Sequence, residues 1–292
     1  MRTGWIAGLI VLSWSVCGAG ASTGSTAAQR AMDASLKGTD AVAVVLDGGD
    51  GRLIAAKRAQ DAGRVVSAPG STLKPFFLVA ALRQGRVHPE TTVACHGDLR
   101  IAGRDLACTH PREINVLNAE QALAYSCNTW FASLARRLSP HDAVEVLRSY
   151  GFGSRTELIG ADAAGEVRVP RNDAEVQLQV LGLDDIRVTP VQLARAYFRL
   201  GRELDQTPVV RRGLEGSVAY GMAHNAATAA MTIAGKTGTA SDAGEAWTHG
   251  WFAGIAKRGG ESVVVVIYLP HGNGADASGL AHRFFLRWGQ LR

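Results

Sequence analysis

Apolar and polar positions divide the chain into three stretches. In the first, Ala41-Val42-Ala43-Val44-Val45-Leu46 and Arg52-Leu53-Ile54-Ala55-Ala56-Lys57 flank the polar segment Asp47-Gly48-Gly49-Asp50-Gly51. Two β-prone runs around a Gly/Asp turn predict a hairpin. The Ala/Ser/Thr-rich residues 22–37 before it read as a tether or a first helix. A loop then leads to Gly70, and a helix is predicted from Ser71 to near Gly85, with Pro75-Phe76-Phe77-Leu78-Val79-Ala80-Ala81-Leu82 as its apolar run.

From residue 87 to about 225 the pattern is mainly helical. Asn118 with Gln121 has the form of a capping box for a helix through Tyr125, Ser139-Pro140 starts another that Gly151 ends, and Thr189-Pro190-x-Gln192 starts a third that stops at Gly201. Strand character returns over residues 231–234, 247–256 and 262–269, the last with the core Val263-Val264-Val265-Val266-Ile267, before a closing helix over 275–291. Strands at both ends around a helical middle predict an α/β (α+β) fold. An antiparallel sheet is built from the N-terminal hairpin and the C-terminal strands and flanked by helices, with an all-helical second lobe and a cleft between the two.

Composition narrows the class. With 292 residues, 47% of them apolar and 20% charged, the chain can bury a full core, which excludes a disordered or fibrous protein. The net charge of +5 is spread without a basic run, so no nucleic-acid partner is expected; a mildly basic surface suits an anionic polymer. Met1-Arg2, the apolar residues 5–16 and Ala19-Gly20-Ala21 read as a basic region, a hydrophobic core and a cleavage site. This gives a signal peptide over residues 1–21, an N-terminal segment over 22–38 and one domain over 39–292, exported to a periplasmic or other extracytoplasmic space. An uncleaved anchor is the alternative, although the apolar run is short for a span. Cys17 leaves with the signal. Export would let Cys95 and Cys108 pair, with two separate thiols as the alternative, and Cys127 reads as a small buried filler.

The candidate chemistry centres on Pro69-Gly70-Ser71-Thr72-Leu73-Lys74-Pro75. Positions three apart share a helix face, so the Ser71 hydroxyl and the Lys74 amine come within proton-transfer reach. A serine needs a base to become a nucleophile, and a lysine serves only where burial favours its neutral form. By itself Ser-x-x-Lys also fits a capping serine and a solvated lysine. Two further segments change that balance: Tyr125-Ser126-Cys127-Asn128, and Ala234-Gly235-Lys236-Thr237-Gly238-Thr239-Ala240.

Ser-x-x-Lys, Ser-x-Asn and Lys-Thr-Gly, in that order, resemble the motif set of the penicillin-binding proteins and serine β-lactamases. Val188-Thr189-Pro190-x-Gln192-Leu193-Ala194-x-Ala196-Tyr197 and Trp251-Phe252-x-Gly254 extend the likeness to the transpeptidase domain of penicillin-binding proteins, from about Ala41 to the end. The resemblance implies that Ser71 forms an acyl-enzyme with a D-Ala-D-Ala stem peptide of peptidoglycan or with a β-lactam. Lys74 takes its proton, Ser126 passes a proton to the leaving group, and Asn128 holds Lys74 and the substrate amide. The backbone N–H groups of Ser71 and Thr239 form the oxyanion hole, and Lys236, Thr237, Gly238 and Thr239 form the strand that receives the substrate carboxylate. No cofactor is implied, and the eight histidines show no metal-ligand spacing; His110, His141 and His224 read as surface or loop residues.

Neither Glu157 nor Glu166 stands in the Glu-x-x-Leu-Asn context that class A β-lactamases carry, so the resemblance implies slow deacylation by water and transfer to an amine: a D,D-transpeptidase. A D,D-carboxypeptidase, a β-lactamase and a catalytically silent scaffold that recruits another cell-wall protein are the alternatives. The sequence departs from the family in having Leu181-Gly182-Leu183 where Gly-Gln-Gly is frequent, a short stretch between Asn128 and Lys236, and little before the first strand, leaving no room for a glycosyltransferase domain.

Overall fold

The computed structural model describes Met1 and residues 23–291; the rest of the expected signal peptide, and Cys17 within it, lies outside the described residues. Residues 22–37, open between tether and helix, give helix α1 (Thr23–Ser35). Strands β1 (Val42–Asp47) and β2 (Leu53–Lys57) form the expected hairpin, with an irregularity between Val45 and Leu46. Helix α2 (Ala59–Arg64) follows, then a single 3-10 turn (Gly70–Leu73) that runs directly into α3 (Lys74–Arg83). Pro75 sits in the first turn of α3, where its missing N–H leaves no gap in the helix ladder.

The helical stretch contains α4 (Ala119–Ala124), α5 (Asn128–Ala135), α6 (Pro140–Ser149), α7 (Asp173–Val180), α8 (Pro190–Gly201) and α9 (Pro208–Ala219). The capping box predicted at Asn118 is formed, and the predicted helix starts at Ser139 and Thr189 are capping boxes as well. Three two-residue antiparallel ladders join residues 93–94 to 116–117, 100–101 to 104–105, and 166–167 to 186–187, so the lobe is helical with small β clasps. Strands this short carry no readable alternation.

The chain then returns as β3 (Thr232–Ala240), β4 (His249–Arg258) and β5 (Glu261–Leu269) and closes with α10 (Gly274–Gln290). The sheet order is β2-β1-β5-β4-β3, antiparallel throughout, so the two chain ends meet where β1 pairs with β5. Alternation along these strands sorts their side chains onto two faces. Ala43, Val45, Val263, Val265 and Ile267 pack with Met32 of α1 and Phe284, Phe285 and Trp288 of α10. Val42, Val44, Val264, Val266 and Tyr268 belong to the larger core that includes Phe76 and Phe77 of α3 and Tyr197 of α8. Each buried aromatic side chain contributes roughly 1.5–3 kcal/mol by removing apolar surface from water. Among the described residues no helix is long and apolar enough to cross a membrane.

Glycines let the backbone close up around the 3-10 turn. The middle residue of Leu181-Gly182-Leu183 has φ +74°, and a Cβ there would lie 2.1 Å from the Gly70 carbonyl oxygen. The Gly70 N–H donates to the Gly182 carbonyl at 2.9 Å, so the two glycines lock the turn from behind. Gly85, beyond the end of α3, has φ +65° with open space around it. Gly85→Ala is therefore expected to cost about 1 kcal/mol of unfolding free energy, the left-handed penalty alone. Gly182→Ala adds a backbone collision and should cost about 3 kcal/mol or more. Equal urea midpoints for the two variants would contradict this packing.

Candidate active site

Ser71 occupies the 3-10 turn ahead of α3, a tighter start than the α-helix expected for it. The turn is tied down on several sides. The Ala68 carbonyl accepts from His249 Nε2 at 2.8 Å and Trp251 Nε1 at 2.9 Å, the Thr72 hydroxyl donates to the Pro69 carbonyl at 2.8 Å, and the Tyr197 hydroxyl donates to the Thr72 carbonyl at 3.0 Å. Three of these four bonds come from the sheet or α8, so the larger core holds the segment carrying Ser71, and the Thr72 hydroxyl closes the turn on itself.

Lys74, one turn on, is wholly buried. Its Nζ donates to Asn128 Oδ1 at 2.6 Å, to the Ser126 carbonyl at 2.8 Å and to Ser126 Oγ at 3.2 Å, and it lies 5.3 Å from the Phe131 ring centroid. Burial brings its amine down from 10.5 to about 8, against a smaller opposite pull from the sulfurs of Cys127 and Cys108. Ser126 has φ +56°, an unfavourable conformation for a residue with a side chain, in which both its carbonyl and its hydroxyl reach the amine. Asn128 begins α5 and donates Nδ2 to the Leu106 carbonyl at 3.0 Å, which fixes its amide oxygen toward Lys74.

Strand β3 brings the third segment. A Cβ on Gly238 would lie 2.4 Å from the Pro69 carbonyl, and one on Gly70 would lie 2.8 Å and 3.0 Å from the Thr239 carbonyl and nitrogen. The absence of side chains at both positions lets the backbone of Thr239 lie against the Ser71 turn. Thr239 Oγ1 accepts the Gly274 N–H at 2.9 Å, which sets the positive N-terminal end of the seventeen-residue α10 beside it. Lys236 is wholly buried, donates to the Thr237 carbonyl at 3.2 Å, and is held well below the usual lysine range by burial and then by the Lys74 charge. Ser71, Asn128 and Thr239 open onto one cavity of about 490 Å³, also lined by Asp105, Leu106, Ala107, Leu181 and Leu183.

Three separate segments thus converge on one cavity, through Ser71, Asn128 and Thr239, with the buried Lys74 bonded to the second of them. The profile of the penicillin binding protein transpeptidase domain matches residues 41–287. The chain belongs to the penicillin-binding protein transpeptidase family. Over 103 residues it is 30% identical to the peptidoglycan D,D-transpeptidase MrdA of Acinetobacter baumannii, a match that takes in 34% of this chain and 14% of that protein. The fold is shared with the transpeptidase domain of Burkholderia pseudomallei penicillin-binding protein 3, at TM-score 0.80 and 21% identity over 90% of this chain and 93% of that one. It is shared also with Pseudomonas aeruginosa PBP2, solved in complex with WCK 5153, at TM-score 0.79 and 19% identity over 91% of this chain and 76% of that one.

Within this transpeptidase fold the two acidic residues weighed as water-activating bases stand apart from the cavity lining. Glu157 is exposed, and Glu166 pairs with Arg168 at 2.6 Å. Other expectations are corrected. Cys95, Cys108 and Cys127 are free thiols rather than containing a Cys95–Cys108 bridge, and the sulfur 3.8 Å from Cys108 is that of Cys127. His110, read as a surface or loop residue, lies in a loop but is buried at 6% exposure, whereas His141 and His224 are exposed as expected. Cys127 is buried, but it also caps α5 by accepting the Trp130 N–H.

Lys74 should titrate with a midpoint near 8, being charged below that pH and neutral above it. Heteronuclear NMR of the lysine Cε signals, with Lys74→Met to assign the resonance, measures this directly. A midpoint at 10.5 would mean a solvated amine.

Proposed function

We propose that this protein is a penicillin-binding serine D,D-transpeptidase acting on peptidoglycan stem peptides. Ser71 Oγ attacks the carbonyl of the penultimate D-Ala while Lys74 accepts its proton. The C–N bond to the terminal D-Ala breaks, and the departing amine takes a proton by way of Ser126. An acceptor amine then attacks the ester, forming the new amide and returning the hydrogen to Ser71. The Ser71 and Thr239 N–H groups hold the developing oxyanion, and Asn128 keeps one amide hydrogen for the substrate backbone. Thr237 and Thr239 receive the terminal carboxylate beside the α10 N-terminus. Lys236, buried beneath them, contributes its field, and an arriving carboxylate favours its charged form.

The observation that carries this reading is Lys74: an amine with no carboxylate partner among its hydrogen bonds, buried one turn from Ser71 and bonded to both Ser126 and Asn128. Transfer is favoured over hydrolysis because the one carboxylate on the cavity lining, Asp105, is exposed and accepts the Ala107 N–H at 3.2 Å, a place suited to a cationic amine acceptor rather than to a buried water. The same reading takes residues 39–292 as the catalytic domain, residues 1–21 as an export signal, and the wall side of the membrane as its place of work; β-lactams are expected ligands, and another cell-wall protein fits as a partner.

Incubation with benzylpenicillin should add the mass of one penicilloyl group per chain and persist for many minutes. Ser71→Ala should show no adduct, and Lys74→Ala should acylate at least about 100-fold more slowly. Wild-type protein that never gains the mass would overturn the proposal, and rapid repeated hydrolysis of the β-lactam would replace transfer by hydrolysis.

A further inference from the structure

Beneath the Ser126–Asn128 turn, one ligand atom from each of Cys95, Cys108, His110 and Cys127 lies within 4.8 Å of all the others. We propose that these four residues form a closed, structural site for a zinc ion. They come from three places in the fold. Cys95 follows the short ladder strand at residues 93–94, Cys108 and His110 follow the hairpin that joins residues 100–101 to 104–105, and Cys127 is the residue before α5.

The geometry fits the ion in size, donor type and surroundings. A tetrahedral zinc with Zn–S bonds of about 2.3 Å places its sulfurs about 3.8 Å apart, and Cys108 Sγ lies 3.8 Å from Cys127 Sγ. Three thiols and one imidazole are a soft, complete set of four, with no position left open for a water or a substrate. His110 Nδ1 is 3.1 Å from the Pro111 carbonyl, which can only accept, so that nitrogen carries the proton and Nε2 presents a lone pair. Nε2 is buried without a hydrogen-bond partner in a residue 6% exposed, an arrangement that costs free energy until something fills it. The sulfurs already have outer partners of the kind that orient metal thiolates. The Asn128 N–H donates to Cys108 Sγ at 3.1 Å, the Trp130 N–H donates to Cys127 Sγ at 3.5 Å, and Thr129 Oγ1 lies 3.4 Å from Cys95 Sγ and 3.6 Å from Cys108 Sγ.

Such an ion would staple the 95–110 segment to the start of α5. Leu106, whose carbonyl orients Asn128, lies in that segment, and Ser126, in its left-handed conformation, is the residue before a ligand. The metal site therefore acts as a positioning device for Ser126 and Asn128. It does not depend on the reaction proposed above: penicillin labelling tests that reaction, and metal content tests this site.

The full chain, purified without metal-affinity resin and dialysed, should contain about one zinc per molecule by elemental mass spectrometry. Reconstitution with Co²⁺ should give the strong visible bands of a tetrahedral thiolate site. His110→Ala and Cys108→Ser should each lower zinc affinity by more than about 100-fold. Since a cysteine variant could fail to fold, the wild-type stoichiometry stands as a test on its own, and chelation of the wild type should lower its melting temperature. A metal-free wild type in which Cys95, Cys108 and Cys127 all react freely overturns the site. So does a mass 2 Da lower that reports a Cys108–Cys127 disulfide.

Discussion

An amine is buried at the centre of this fold with no carboxylate among its hydrogen-bond partners. Removing a charged ammonium from water costs several kcal/mol, and neutral oxygens return only part of that. Lys74 is given a carbonyl, a hydroxyl and a side-chain amide oxygen, so its neutral form lies within ordinary pH rather than far above it. Much of the local architecture serves this placement. The apolar run after Pro75 buries α3, the Phe131 ring closes over the amine, and Ser126 adopts a left-handed conformation that points two oxygens at one nitrogen. A solvated lysine would need none of this.

The second requirement is closeness. The turn that carries Ser71 packs directly against the edge strand β3, which comes this close because Gly70 and Gly238 bring no side chains to the contact. Gly182 presses from the other side, so the turn is held between two backbones. The sheet is long-range in origin, with β1 from the N-terminal third paired to β5 from the end, and it fixes β3 relative to a turn more than 150 residues earlier in the chain.

Much of this was legible in the sequence. Alternating apolar strands, a Gly/Asp turn and three Ser/Thr/Asn helix starts mark physical events that involve only neighbouring residues, and each is formed where the pattern placed it. The three short motifs were legible as a set because Ser-x-x-Lys, Ser-x-Asn and Lys-Thr-Gly stand in the order of the motif set of the penicillin-binding proteins. What escaped notice is tertiary. Helix α9 was hidden by Gly213 and Gly216, residues that weaken an isolated helix; Gly213 is there because a Cβ would come within 2.9 Å of Leu123 on α4. The 3-10 geometry at Ser71 depends on bonds from the sheet and α8. The cluster of Cys95, Cys108, His110 and Cys127 has no spacing to announce it, since a folded hairpin and the start of a helix bring its members together.

In the proposed reaction Lys74, Ser126 and Asn128 are one unit that serves Ser71, and a double-mutant cycle on the acylation rate tests that unit most directly. Residues acting together lose their effect together. Lys74→Ala combined with Asn128→Ala should acylate with penicillin about as slowly as Lys74→Ala alone. If the two losses instead multiply, the asparagine works independently of the amine, and the buried lysine is not the element around which the site is built.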